Sequence, residues 1–136
     1  MKYLQDYLQE NQKKTDKKYG AFFAFNKTQF EEGCKKVGAS KDNKVRRLYS
    51  GLYILSKNVN KYLNETEKNT ENAIKQDIKE NGAKKIIFRE LGNHEYQLTQ
   101  DTQNILNILE GYNFSNEQLT KYINQYMKYC IENNLF

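Results

Sequence analysis

This chain has no proline, one histidine and two cysteines in 136 residues, and each scarcity closes off a class of function. With no proline and no Gly/Ser tract there is no linker composition, and periodic apolar residues favour folding over disorder. A lone histidine, His94, cannot supply an HExxH pair or the several ligands a two-metal site needs. Cys34 and Cys130 fit neither CxxC nor a disulfide framework and read as two reduced structural thiols. No apolar run approaches membrane-spanning length, and Met1-Lys2-Tyr3-Leu4-Gln5-Asp6 turns polar at once, so neither a signal peptide nor membrane contact is expected. Walker, GxGxxG and GxSxG motifs are missing, so the expectation is a protein that is not an enzyme and carries no cofactor and no metal.

What is present is polar but aromatic. Hydrophobic residues make up only 38% of the chain, while aromatics reach 13%. Mean hydropathy is −0.98, so tyrosine and phenylalanine rings must carry much of the burial that leucine and valine carry elsewhere. The length suits one folded domain spanning 1–136. Lysine is preferred over arginine, and asparagine, isoleucine and tyrosine are frequent, a bias of AT-rich bacterial or phage genomes, and the expected location is the cytoplasm of a bacterial host cell. Charge is uneven. Residues 1–57 carry thirteen Lys/Arg against six Asp/Glu, and residues 58–136 carry nine against eleven. A basic half attracts phosphate backbones or acidic protein surfaces, and it argues against a DNA mimic. A solvated lysine face is the alternative.

Spacing along the chain predicts an α+β fold: a small antiparallel sheet of two or three strands, four to six helices, and a helical C-terminal half. Tyr3, Leu4, Tyr7 and Leu8 begin an amphipathic helix that fades into Lys13-Lys14-Thr15-Asp16-Lys17-Lys18. Tyr19 to Phe25 reads as a buried aromatic strand. Thr28 and Glu31 read as a capping box for a helix through Phe30, Cys34 and Val37, closed by Gly38. Val45 to Leu55 is the next strand candidate, with Gly51 marking a bulge or bend. Ser56 caps a helix bearing Val59, Tyr62 and Leu63, and Asn64 to Asn72 is almost wholly polar. Helicity resumes at Ala73, with a break or kink at Asn81-Gly82 and an apolar stripe on to Leu91. Asp101 caps a helix ended by Gly111, and Ser115 with Gln118 opens the last helix.

Three groups are candidate sites. Gly92-Asn93-His94-Glu95 spells a short motif of two-metal phosphoesterases without the accompanying ligands. Arg89, Glu90, Asn93, His94 and Glu95 therefore read first as a helix terminus, second as a surface contact, and last as a His-dependent hydrolase. Lys41, Lys44, Arg46 and Arg47 with Tyr49 and Tyr53 form the second group. Ideal alternation puts Arg46 and Leu48 on one face, with Arg47 and Tyr49 on the other. Cations and rings together suit phosphate and base, while a charged edge strand is the structural alternative. Tyr122, Tyr126, Met127 and Tyr129 form the third group, read as core or as a partner-binding face. Apolar width on that helix beyond what the core takes up would instead point to a homodimer.

Gly20-Ala21-Phe22-Phe23-Ala24-Phe25 with Gln29-Phe30, and Arg89 to Glu95 with Gly111-Tyr112, resemble a family of small uncharacterised phage and prophage proteins. The resemblance implies a mobile-element accessory protein and transfers no catalytic residue. Genes of that kind often encode non-catalytic inhibitors of host defence, including anti-CRISPR proteins. The leading expectation is thus a binding protein that blocks a host or phage protein, or a ribonucleoprotein. The alternative is a small nucleic-acid-binding module using the basic N-terminal half.

Overall fold

The computed structural model describes residues 1–136 and is α+β. Helix α1 spans Leu4–Tyr19, strand β1 Ala21–Phe23 and helix α2 Lys27–Val37. Strands β2, Val45–Tyr49, and β3, Leu52–Leu55, form a hairpin, and a 3-10 turn at Ser56–Asn58 leads into α3, Val59–Asn93. The short α4 (Tyr96–Thr99), α5 (Thr102–Leu109), a 3-10 turn at Glu110–Tyr112 and α6 (Asn116–Glu132) complete the chain. No helix is long and apolar enough to cross a membrane. The chain divides into two compact units, Met1–Asn72 and Ala73–Phe136, so the boundary falls within α3.

In the first unit the sheet is antiparallel in the order β1-β3-β2, leaving β1 and β2 as edges. Register puts Phe22, Tyr53 and Arg47 in one row and Ala21, Ile54 and Arg46 in the next. Directly paired residues share a face, so these rows lie on opposite faces of the sheet. Leu52 and Ile54 pack with Tyr62 of α3 into a buried cluster, flanked by Tyr19, Ala21, Leu48 and Val59. Phe22, Phe30 and Tyr53 form an aromatic triad on the other side, with Phe30 edge-on to Tyr53 at 4.9 Å between centroids.

Several local expectations are corrected. Helix α1 does not fade at its lysines but runs to Tyr19, because its polar side faces α3 across a ladder of hydrogen bonds. Gln12 donates to Asp16, Tyr62 and Thr66, and Asn69 donates to Gln12 and Thr15. The polar stretch after Leu63 supplies Thr66 and Asn69. The cap of α2 is Asn26, whose side chain accepts from the Gln29 amide at 2.8 Å, while Gln29 accepts from the Phe25 amide. Thr28 is thereby displaced into the first turn. Gly51 marks a hairpin turn at φ +80°, not a bend within one strand, and the bulge lies between Arg47 and Tyr49. The aromatic strand is only half interior, since Phe23 is 59% exposed. Gly111 sits inside the second 3-10 turn, which ends at left-handed Asn113.

In the second unit Ile86, Ile87, Leu91, Ile105 and Cys130 are fully buried. The expected break in α3 is at Gly82, whose φ of 77° and ψ of 163° belong to a region that essentially only glycine occupies. Asp101 and the Ser115–Gln118 capping box open α5 and α6 as expected. Tyr126 is core: its hydroxyl donates to Gln97 and its ring meets Phe88 edge-on. Tyr122 and Met127 are half-buried, and Tyr129 is exposed.

Candidate nucleic-acid interface

Both helices that flank the sheet in the first unit end on paired lysines followed by glycine. Lys17 and Lys18 close α1 before Gly20, and Lys35 and Lys36 close α2 before Gly38. Cations in a last turn complement the negative end of a helix, which accounts for each pair separately. Tertiary structure then does more with them. Lys17, Lys18 and Lys36 converge with Lys13 and Lys57 on one cleft of about 840 Å³, whose other walls include Tyr19, Phe22, Val37 and Leu55. The single acid in its lining, Asp16, already accepts from Tyr62 at 2.7 Å and from Gln12. Lys18 alone of the five is ion-paired, at 3.4 Å from Glu65, and its ammonium lies over the Tyr19 ring. A side-chain hydrogen bond with Tyr19 and then the pairing with Glu65 raise the Lys18 pKa, so it stays charged throughout the neutral range.

From the cleft a shallower groove continues along the outer edge of β1, sharing Phe22 and Lys36 with it and adding Phe23, Gln29 and Lys35. Around the N-terminal end of α2 lies a third recess of about 410 Å³, walled by Phe25, Phe30 and Tyr53 with Lys27 and Arg47 among its lining residues. Three rings in this part of the unit face solvent: Phe23, Tyr49 at 61% exposed and Phe25 at 75%. Phe23 and Phe25 stack on each other at 6.4 Å, and Gly51 leaves the room that the Phe25 ring fills. Neither Arg46 nor Arg47 enters an ion pair.

The candidates named from sequence separate into the two units. Arg47 and Tyr53 share a face and a recess, as a cation–ring pairing requires. Tyr49 does not join Arg47, because the bulge sets it opposite Leu52, on the face that Leu48 packs against. Arg46 falls on that face too, opposite Ile54, and Lys44 precedes β2, with its carbonyl accepting from the Ser56 amide. The cleft lysines and the Phe23, Phe25 and Phe30 rings went unrecognised as site residues. The repeated Lys-Lys before glycine was the one sequence signal for the cleft.

The group around His94, with Arg89, Asn93 and Glu95, lies in the second unit, and Arg89 is interior. Its guanidinium, 4% exposed, forks onto Asp77 at 3.0 and 2.9 Å and bonds Glu90 at 2.8 Å. The Tyr112 hydroxyl donates to the same Asp77 at 2.6 Å, and Asn81 donates at 2.8 Å. Burial pushes the Asp77 carboxyl up, but the bonds from Arg89, Tyr112 and Asn81 outweigh it and hold the carboxyl below its ordinary range. Arg89 is a fixed internal cation and not a surface contact. His94 lies at the margin of this cluster, 3.7 Å from Glu90, in the turn after α3. Asn93 and Glu95 are exposed beside it, and no group of three or more His, Cys, Asp or Glu side chains is placed to hold a metal ion.

A family of unknown function (DUF7659) matches residues 4–129. The chain belongs to that family. Its match takes in the lysine cleft, the sheet and the Asp77–Arg89 cluster alike. No curated protein and no solved structure matches.

One pH response follows from the first unit. Burial, and then the bond to Asp16, push the Tyr62 hydroxyl up to about 12. A phenol whose folded pKa lies above its unfolded value stabilises the fold fully below the unfolded pKa of about 10, and loses that contribution as pH rises through the folded value. Alkaline unfolding followed by tyrosinate absorbance and circular dichroism should show Tyr62 ionising only with loss of structure, between about pH 10 and 12. Tyr62→Phe should remove that component. A Tyr62 that ionises near pH 10 in the folded protein would refute the assignment.

Proposed function

We propose that this chain is a non-catalytic binding protein whose first unit grips single-stranded nucleic acid. The observation that carries the reading is the convergence of five lysines on one cleft with a single, already satisfied carboxylate. Lysines scattered on a solvated face need no such convergence, and like charges brought together oppose folding unless an anion answers them. A row of cations spread along a groove suits a backbone with regularly spaced phosphates, and the exposed rings beside it suit unstacked bases.

Binding of a short single-stranded RNA or DNA should weaken steeply with salt as condensed counterions are released. Removing three of the phosphate contacts, in Lys17→Gln with Lys36→Gln and Lys57→Gln, should lower the slope of log affinity against log salt by about 2, at roughly 0.7 per contact for a single strand. All three side chains are exposed, so circular dichroism of the variant should be unchanged. Absence of binding to either strand at low salt would end this reading.

The exposed Phe23, Phe25 and Tyr49 favour a second reading, contact with a host or phage protein or a ribonucleoprotein, because aromatic rings dominate the energetics of protein interfaces. A partner captured by the wild type, retained after nuclease treatment and lost on Phe25→Ala, would support it. The mobile-element setting rests on the sequence resemblance alone.

A further inference from the structure

Resting on that reading, we infer that the recess between the hairpin turn and the start of α2 takes one unpaired base of the bound strand. Three rings line it, Phe25 from the loop, Phe30 from α2 and Tyr53 from β3, beside the polar Asn26, Lys27, Arg47 and Ser50. Phe30 and Tyr53 are held edge-on at 4.9 Å and braced by Phe22, so two walls are rigid before any ligand arrives. Phe25 is different. At 75% exposure it covers little of the core, yet its backbone amide is fixed by Gln29 and its ring lies on the glycine of the turn. An apolar ring fixed in place but left in water is explained by a flat apolar ligand that covers it.

The cations decide which flat ligand. Arg47 shares the Tyr53 row and lines the recess without an ion pair, and Lys27 lines it from the first turn of α2, in an exposed ion pair with Glu31 at 3.9 Å. A planar ligand with an attached anion meets both demands, and a nucleotide is one. The neighbouring groove along β1 shares Phe22 and Lys36 with the lysine cleft and reaches Gln29 in the first turn of α2, with Lys35 and one acid, Glu32, also in its lining. The strand's phosphates follow that groove while one base turns into the recess. Because the base must be unstacked to enter, the site selects single strands over duplex.

The test compares a short oligodeoxythymidine with an abasic strand of the same length, which keeps the phosphates and lacks the bases. Wild type should bind the base-bearing strand about tenfold or more tightly, the range of one base–ring stack. Phe25→Ala should erase that preference while leaving affinity for the abasic strand and the salt slope unchanged. Arg47→Gln should weaken both strands. Equal wild-type affinity for the two strands would overturn the base site and leave the phosphate grip standing. A preference that survives Phe25→Ala would also overturn it, since the bases would then be held elsewhere. Failure to bind either strand at low salt would remove the nucleic-acid reading, and the base site with it.

Discussion

Arg89→Ala should destabilise the protein by about 3–5 kcal/mol, the largest loss expected of any single substitution, because it strands a buried carboxylate. Asp77 is fully buried and takes two of its bonds from Arg89, so alanine leaves a charge in the interior with only Tyr112 and Asn81 to answer it. The same substitution should change the acid response. In the wild type the depressed Asp77 pKa contributes stability above the unfolded carboxylate value of about 3.9, and that contribution is lost as pH falls through the lower folded value. Without Arg89, burial dominates and the carboxyl should protonate at higher pH. Urea unfolding at pH 7 and pH 4 measures both effects. Arg89→Met with Asp77→Leu, which removes both charges together, should be less damaging than Arg89→Ala alone. A single variant as stable as wild type would show that the cluster is solvated in solution.

Gly33→Ala should cost about 2 kcal/mol in the first unit, where the helix propensity of alanine would by itself add about 1 kcal/mol of stability. An added Cβ would stand 2.2 Å from the Phe22 ring. That ring cannot easily swing aside, being packed against both Phe30 and Tyr53. Either α2 lifts from the sheet or the triad breaks, and thermal unfolding should report the loss. A variant more stable than wild type would mean that α2 rides further from β1 than the packing implies. Nucleic-acid affinity should fall in parallel, since Phe22 belongs to both the cleft and the adjoining groove.

Local signals in the sequence were sufficient for the elements and less so for the site. The helix stop at Gly38, the break at Gly82 and the Ser115 cap are written in residues a few positions apart, and these were legible, whereas Gly20 read as part of the aromatic strand and not as the stop of α1. The hairpin was missed because Ser50-Gly51 sits inside one apolar run, and alternation alone cannot distinguish a bent strand from two. The bulge after Arg47 had no sequence marker either, and by moving Tyr49 to the other face it split the expected arginine–tyrosine patch. The cleft was illegible for a different reason. Its lysines come from α1, α2 and the turn after β3, each unremarkable where it stands, and only tertiary packing brings them together. Arg89 stood with Asn93 and His94 by nearness in sequence, whereas its bidentate fork serves an internal carboxylate.

The polar ladder between α1 and α3 acts as a vernier for the cleft. Apolar side chains tolerate a helix sliding along its neighbour, since one methyl group substitutes for another. Gln12, Thr15, Asp16, Tyr62, Thr66 and Asn69 do not, because each bond names a particular partner. A slip of one helical turn, about 5.4 Å, would leave all of them unmatched at once. Lys13 and Lys17 stand on the same helix, interleaved with those residues, and so inherit its fixed position. The spacing of positive charge across the cleft is thus gauged by a set of amides and hydroxyls together with one carboxylate, Asp16, which itself lines the cleft.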